Sequence, residues 1–131
     1  MKGFLADIET LSGDNKAFRH VLHTGHNLQL VLMALPPGQD IGMESHATHD
    51  QFFRIEKGRG EAVIDGVRHK IKAGDGLIVP AGARHNLRNT GDKFLRMYTI
   101  YAPPNHVDKL IEVTRAEADS SREVFDGVTS E

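Results

Sequence analysis

Apolar and polar positions alternate along most of this chain, and turn-forming residues interrupt the pattern about every eight to twelve positions. The run AFRHVLHTGHNLQLVLMAL divides at Thr24-Gly25 into two apolar arms and predicts a β-hairpin. In its second arm Leu28, Leu30, Leu32 and Ala34 share one face, while Val31, Met33 and Leu35 make the other face apolar too. A strand apolar on both faces belongs in the middle of a sandwich or at a contact between subunits. Pro36-Pro37-Gly38 ends it. Further strands are predicted at 51–56, 61–65, 67–72, 77–79, 84–88 and 94–101, with Asp65-Gly66 as a two-residue hairpin turn.

The ends of the chain differ from this pattern. FLADIETL at 4–11 predicts one or two helical turns, closed by Ser12-Gly13-Asp14-Asn15. After Pro103-Pro104, the spacing of Val107, Leu110, Ile111 and Thr114 predicts a short helix. From Arg115 onward the chain is polar, and a tail mobile or packed along the surface is expected. The expectation is therefore one all-β domain over 1–131, a sandwich or barrel with short helical segments at both ends. Its barrel core should span about 18–102, followed by a C-terminal helix and tail over about 105–131.

Composition narrows the chemistry. A net charge of -2 and a pI near 6.4 provide no basic field for nucleic-acid phosphates, so no nucleic-acid partner is expected. There are no cysteines, which excludes disulfides, thiolate metal sites and a cysteine nucleophile. Any metal must be held by imidazole, carboxylate, amide or water. Asp7 and Glu9 interrupt the apolar residues of the N-terminus, and no apolar run approaches bilayer-spanning length. A cytoplasmic location without a membrane partner is the expectation.

Eight histidines are many for 131 residues, and their placement decides what they mean. Glu44 and His46 lie two apart, so on an extended strand both side chains share a face. Gln51 shares a face with Phe53 and Ile55, and His85 with Leu87. If the apolar members point inward, the polar ones follow them. Four donors on separate strands can then meet inside one barrel. Parity alone leaves the strand pairing open.

Two blocks bear on that pairing. The first reads Gly38, Glu44, His46, Gln51, Gly58; the second reads Gly74, Pro80, Gly82, His85, Asn89. Together they resemble the paired motifs of the cupin superfamily, G-x5-H-x-H-x3-4-E-x6-G and G-x5-P-x-G-x2-H-x3-N. The second motif is matched at every position. The first keeps its spacing but has glutamate for histidine at 44 and glutamine for glutamate at 51. The resemblance covers about 25–101 and implies a double-stranded β-helix, a jelly-roll barrel, with one metal ion. By position, the implied ligands are Glu44, His46, Gln51 and His85. That set keeps two imidazoles and one carboxylate, and it suits Zn, Mn, Fe, Ni or Co. The same donor types, in a different order, occur in cupin-type phosphomannose isomerases. The resemblance further implies a small-molecule ligand in the barrel and a homodimer, to which the two-faced strand at 28–35 would contribute a shared sheet. It points to a small metalloenzyme acting on a sugar or keto acid. A ligand-binding or sensor protein and an Fe(II) dioxygenase are the alternatives.

The remaining candidates carry less. His49 lies between His46 and Gln51 and is a loop histidine, a substitute metal ligand or a catalytic acid/base candidate. His20, His23, His26, His69 and His106 suit surface or structural roles. Arg54 and Arg84 are possible anion contacts, but each flanks an inward residue and should face outward. Phe53, Met97, Tyr98 and Tyr101 could line a pocket mouth, and Asn89 should bond turn backbone.

Overall fold

The N-terminal helix starts where a carboxylate can cap it. In the computed structural model, which describes residues 1–131, Asp7 accepts from the backbone N–H of Thr10, and helix α1 runs Ile8–Asp14. The expected start at 4 is thus too early, and the Ser12-Gly13-Asp14 break lies inside the helix. The predicted hairpin follows as β1 (Arg19–Thr24) and β2 (Gln29–Leu35). Val31, Met33 and Leu35 face the core, whereas Leu32 and Ala34 face outward yet are only 2% and 1% exposed. Helix α1 covers that side, laying Ser12 and Gly13 against the ends of neighbouring strands. The two-sided apolarity of β2 is accounted for within one chain.

Next come β3 (Asp50–Lys57), β4 (Arg59–Ile64), β5 (Val67–Lys72), β6 (Gly76–Val79), β7 (His85–Asn89) and β8 (Leu95–Ala102). Asp65 and Gly66 both adopt positive φ, 45° and 81°, which a type I′ turn between β4 and β5 requires. The C-terminal region departs from expectation. Residues Ile111–Glu112 form strand β9 on β1, and the helix α2 comes later, at Arg115–Ser120. Two causes override the helical spacing of 107–114. Edge pairing to Arg19 and His20 draws Ile111 and Glu112 into extended form. Thr114 and Glu117 then close a capping box that starts the helix at 115. The tail packs rather than hanging free: Ser130 N–H donates to Thr24 O at 2.8 Å, and Glu123 accepts from Val107 N–H at 2.8 Å.

The strands form a six-stranded sheet, β6-β3-β8-β2-β1-β9, facing a three-stranded sheet, β5-β4-β7. Bridges Asp40↔Arg88 and Glu44↔His85 extend the smaller sheet past β7. The core between the sheets includes Val31, Met33, Phe53, Ile55, Leu87, Leu95 and Met97. Gly58 joins β3 to β4 at φ 89°, where a Cβ would stand 2.6 Å from the carbonyl oxygen of Phe94.

Candidate metal centre

Backbone pairing brings the two motifs together. Glu44 N–H donates to His85 O at 2.9 Å, and His85 N–H donates to Glu44 O at 2.8 Å. Gly82, at φ 86°, donates its N–H to His46 O at 2.8 Å. Thus β7 and the turn before it hold both Glu44 and His46. Their side chains and that of His85 converge, with one possible ligand atom from each lying within 4.8 Å of the others. Glu44 Oε1 stands 3.6 Å from Nε2 of both histidines. That separation is too long for a hydrogen bond.

The unpaired atoms define what the cluster lacks. Nε2 of His46 and Nε2 of His85 are buried and have no hydrogen-bond partner. His85 Nδ1 lies 3.3 Å from the carbonyl oxygen of Ala83, an acceptor only, so Nδ1 carries the proton and Nε2 keeps its lone pair. Gln51 is 2% exposed, on the inward face it shares with Phe53 and Ile55. Its Nε2 donates to Thr99 Oγ1 at 3.0 Å, which leaves Oε1 buried and unpaired. Buried polar atoms without a partner are costly, and a divalent cation would satisfy the two imidazole nitrogens and the Glu44 carboxylate together; Gln51 faces inward with a free Oε1 but is not part of that convergence. The residues present fit such an ion.

Electrostatics agrees. Burial raises the pKa of Glu44, but the two imidazoles outweigh it and hold the carboxyl at about 2, ionised and ready to bind a cation. Burial pushes the Tyr101 phenol well up, so it stays protonated; its ring stands edge-on to His46 at 5.7 Å. Phe53 flanks His85 at 6.1 Å. Phe53, Met97 and Tyr101 are core residues, whereas Tyr98 faces outward and packs against Phe52.

His49 remains outside the cluster. Its ring lies 5.8 Å from that of His46, but Nδ1 meets Thr48 Oγ1 at 3.1 Å and Nε2 meets Pro104 O at 3.1 Å. Both ring nitrogens are engaged. His106 is buried, its Nδ1 2.5 Å from Glu123 Oε1. Asn89 ties its loop together, donating to Leu35 O and Lys93 O and accepting from Gly91 N–H. Arg54 is partly solvent-exposed and Arg84 is exposed. The buried guanidinium is that of Arg19, which sequence reasoning passed over; its register opposite the inward Met33 was the missing signal. A concavity of about 610 Å³ lies among Arg59, Glu61, Lys70 and Lys72, and none of the candidate metal ligands lines it.

A double-stranded barrel with an inward Glu/His/His cluster defines the class, and comparison with known proteins agrees. The cupin domain model Cupin_2 matches residues 31–101, and the chain belongs to the cupin family. It is 40% identical over 123 residues to the uncharacterized protein YrkC of Bacillus subtilis, covering 89% of this chain and 66% of that protein. The chain thus spans slightly under two thirds of that relative. It is 38% identical to the uncharacterized protein L612 of Acanthamoeba polyphaga mimivirus, over 86% of this chain and 72% of that one. The crystal structure of BH2720 from Bacillus halodurans superposes with a TM-score of 0.90 at 38% identity, covering 92% of this chain and 96% of that one. No helix here is long and apolar enough to cross a membrane.

Proposed function

We propose that this protein binds one divalent transition-metal ion through Glu44, His46, His85 and the Gln51 amide oxygen, and acts as a small metalloenzyme on a polar sugar- or keto-acid-like substrate. The observation that carries the reading is the convergence of Glu44, His46 and His85 with the buried Nε2 atoms of both histidines left without a partner. Zn, Mn, Fe, Ni and Co all accept such a donor set. A bound ion of this type supplies Lewis acidity at a substrate carbonyl or hydroxyl oxygen. The chain's own residues set the rest. Ala83 O fixes the His85 tautomer, Thr99 orients the Gln51 amide, and the buried rings of Phe53 and Tyr101, beside His85 and His46, keep water from the inner side.

Two further readings each have an observation in their favour. Two histidines and one carboxylate match the donor set of Fe(II) oxygenases, which suits a dioxygenase. Conversely, both ring nitrogens of His49 are engaged, so the nearest candidate acid/base is tied up, which suits a barrel that binds a ligand without turnover. Metal-loaded protein incubated with sugars and keto acids separates these. Turnover lost in His46→Ala supports the enzyme, oxygen consumption the dioxygenase, and saturable binding without turnover the carrier. We also propose a homodimer, on the likeness to small cupins alone; light scattering tests it.

A further inference from the structure

Tyr101 enters the barrel beside the metal centre. On β8 it stands directly opposite Gln51 of β3 and Gln29 of β2, and it is 1% exposed. Directly opposed residues send their side chains to one face, so the phenol and the Gln51 amide run inward side by side. The phenol is the longer of the two and carries its hydroxyl further into the barrel. Its ring meets that of His46 edge-on, with centroids 5.7 Å apart at 85°.

The polar groups around Tyr101 are already engaged with one another. Gln29 Nε2 donates to Thr24 Oγ1 at 2.9 Å and to His106 O at 2.7 Å, while its Oε1 accepts from the backbone N–H of Asn105 and of His106. His106, edge-on to Tyr101 at 5.0 Å, directs Nδ1 to Glu123. Thr99 Oγ1 accepts from Gln51 Nε2. The Tyr101 hydroxyl takes part in none of these bonds, although a buried phenol ordinarily finds a partner. Nor is it sealed in like the orphaned Nε2 atoms of His46 and His85; it borders open space. The site therefore holds a donor without an acceptor, next to imidazole nitrogens without a cation.

The charge of the cluster indicates the acceptor. Glu44 is its one anionic donor, and imidazoles hold a metal in their neutral form, so a divalent ion there keeps a net positive charge. Resting on the metal-centre reading above, we propose that Tyr101 is a ligand-positioning residue, its hydroxyl donating to one oxygen of a small monocarboxylate whose other oxygen sits at the Glu44, His46 and His85 cluster. A carboxylate presents two acceptors on one carbon, and its single charge balances that of the loaded site. A neutral sugar brings no such charge. This favours the keto-acid branch over the sugar branch.

The test uses full-length protein loaded with Co(II), whose visible absorption responds to added ligands, titrated with glycolate and with imidazole, which has no oxygen. Tyr101→Phe keeps the ring and removes the hydroxyl. It should hold its cobalt and bind imidazole as wild type does, while losing at least about tenfold in glycolate affinity. A second reading needs no variant. The chain has two tyrosines and no tryptophan, and Tyr98 packs against Phe52 on the outer face, so near-UV absorption reports on Tyr101. Glycolate should shift the tyrosine absorption of zinc-loaded wild type, and imidazole should not. Equal glycolate affinity in Tyr101→Phe, or no tyrosine shift at saturating glycolate, overturns the inference alone. So does a fall in cobalt affinity with ligand affinities unchanged, which would mark support of a protein ligand, or failure of wild type to bind glycolate. If wild type takes up no cobalt, the metal-centre reading fails first and this inference falls with it.

Discussion

Glu44 and His85 are joined twice: each backbone N–H donates to the other's carbonyl, at 2.9 and 2.8 Å, and their side chains face each other at 3.6 Å. The first relation produces the second. Directly opposed residues of an antiparallel pair present their side chains on one face at close range. The candidate ligands from the two motifs are therefore set by sheet pairing. Strand β7 is itself held by β4, through Ile64 opposite His85 and Ala62 opposite Leu87, so the position of Glu44 is fixed from the core outward.

Thr99 should govern Gln51 without touching the ion. Its hydroxyl accepts from Gln51 Nε2 and so turns Oε1 toward its unpaired position. Thr99→Val keeps the volume and removes the acceptor. Metal affinity is expected to fall about tenfold or more while the fold persists, as for other groups that orient a ligand. Competition with a chelator measures it; unchanged affinity would remove Gln51 from the ligand set.

His49 should be dispensable for the ion. With both ring nitrogens bonded to Thr48 and Pro104, its loss removes loop anchoring. His49→Ala should bind metal as wild type does and lose about 1 kcal/mol of stability in urea unfolding. A large drop in metal content would place it in the site.

Asp40 should contribute to the acid limb of stability. The Asn86 amide, with Arg115 and Arg88 beside it, holds its carboxyl below the ordinary value although burial opposes the shift. A carboxyl depressed in the folded state stabilises it above the unfolded pKa, about 4, and that stability fades as pH falls through the folded value. Asp40→Asn should lower Tm at pH 7 and flatten the decline of Tm below about pH 4. Parallel Tm profiles from pH 7 to 2 would contradict this.

Gly58 should be intolerant of any side chain. A Cβ there would lie 2.6 Å from Phe94 O, on a residue at φ 89°. Gly58→Ala should cost more than about 2 kcal/mol, measured by urea unfolding.

Most strands, and the convergence of Glu44, His46 and His85, could be read from the chain because alternation and fixed motif spacing are local signals. What escaped was set by contacts distant in sequence. Ile111 and Glu112 are extended because β1 offers them an edge, while the local capping signal at Thr114 and Glu117 was available and overlooked. Arg19 carries no such local signal. Only its register against Met33 and Glu112 turns it inward. The outer face of β2 likewise needed α1 to explain it.

The most direct test is metal content by mass spectrometry on untagged protein, wild type beside His85→Ala. His85 is fully buried with an unpaired Nε2, so the account predicts close to one equivalent of a transition metal in wild type and almost none in a variant that still folds by circular dichroism. Wild type that remains metal-free after incubation with Zn, Mn, Fe, Co and Ni, or a variant that keeps its full equivalent, would contradict it.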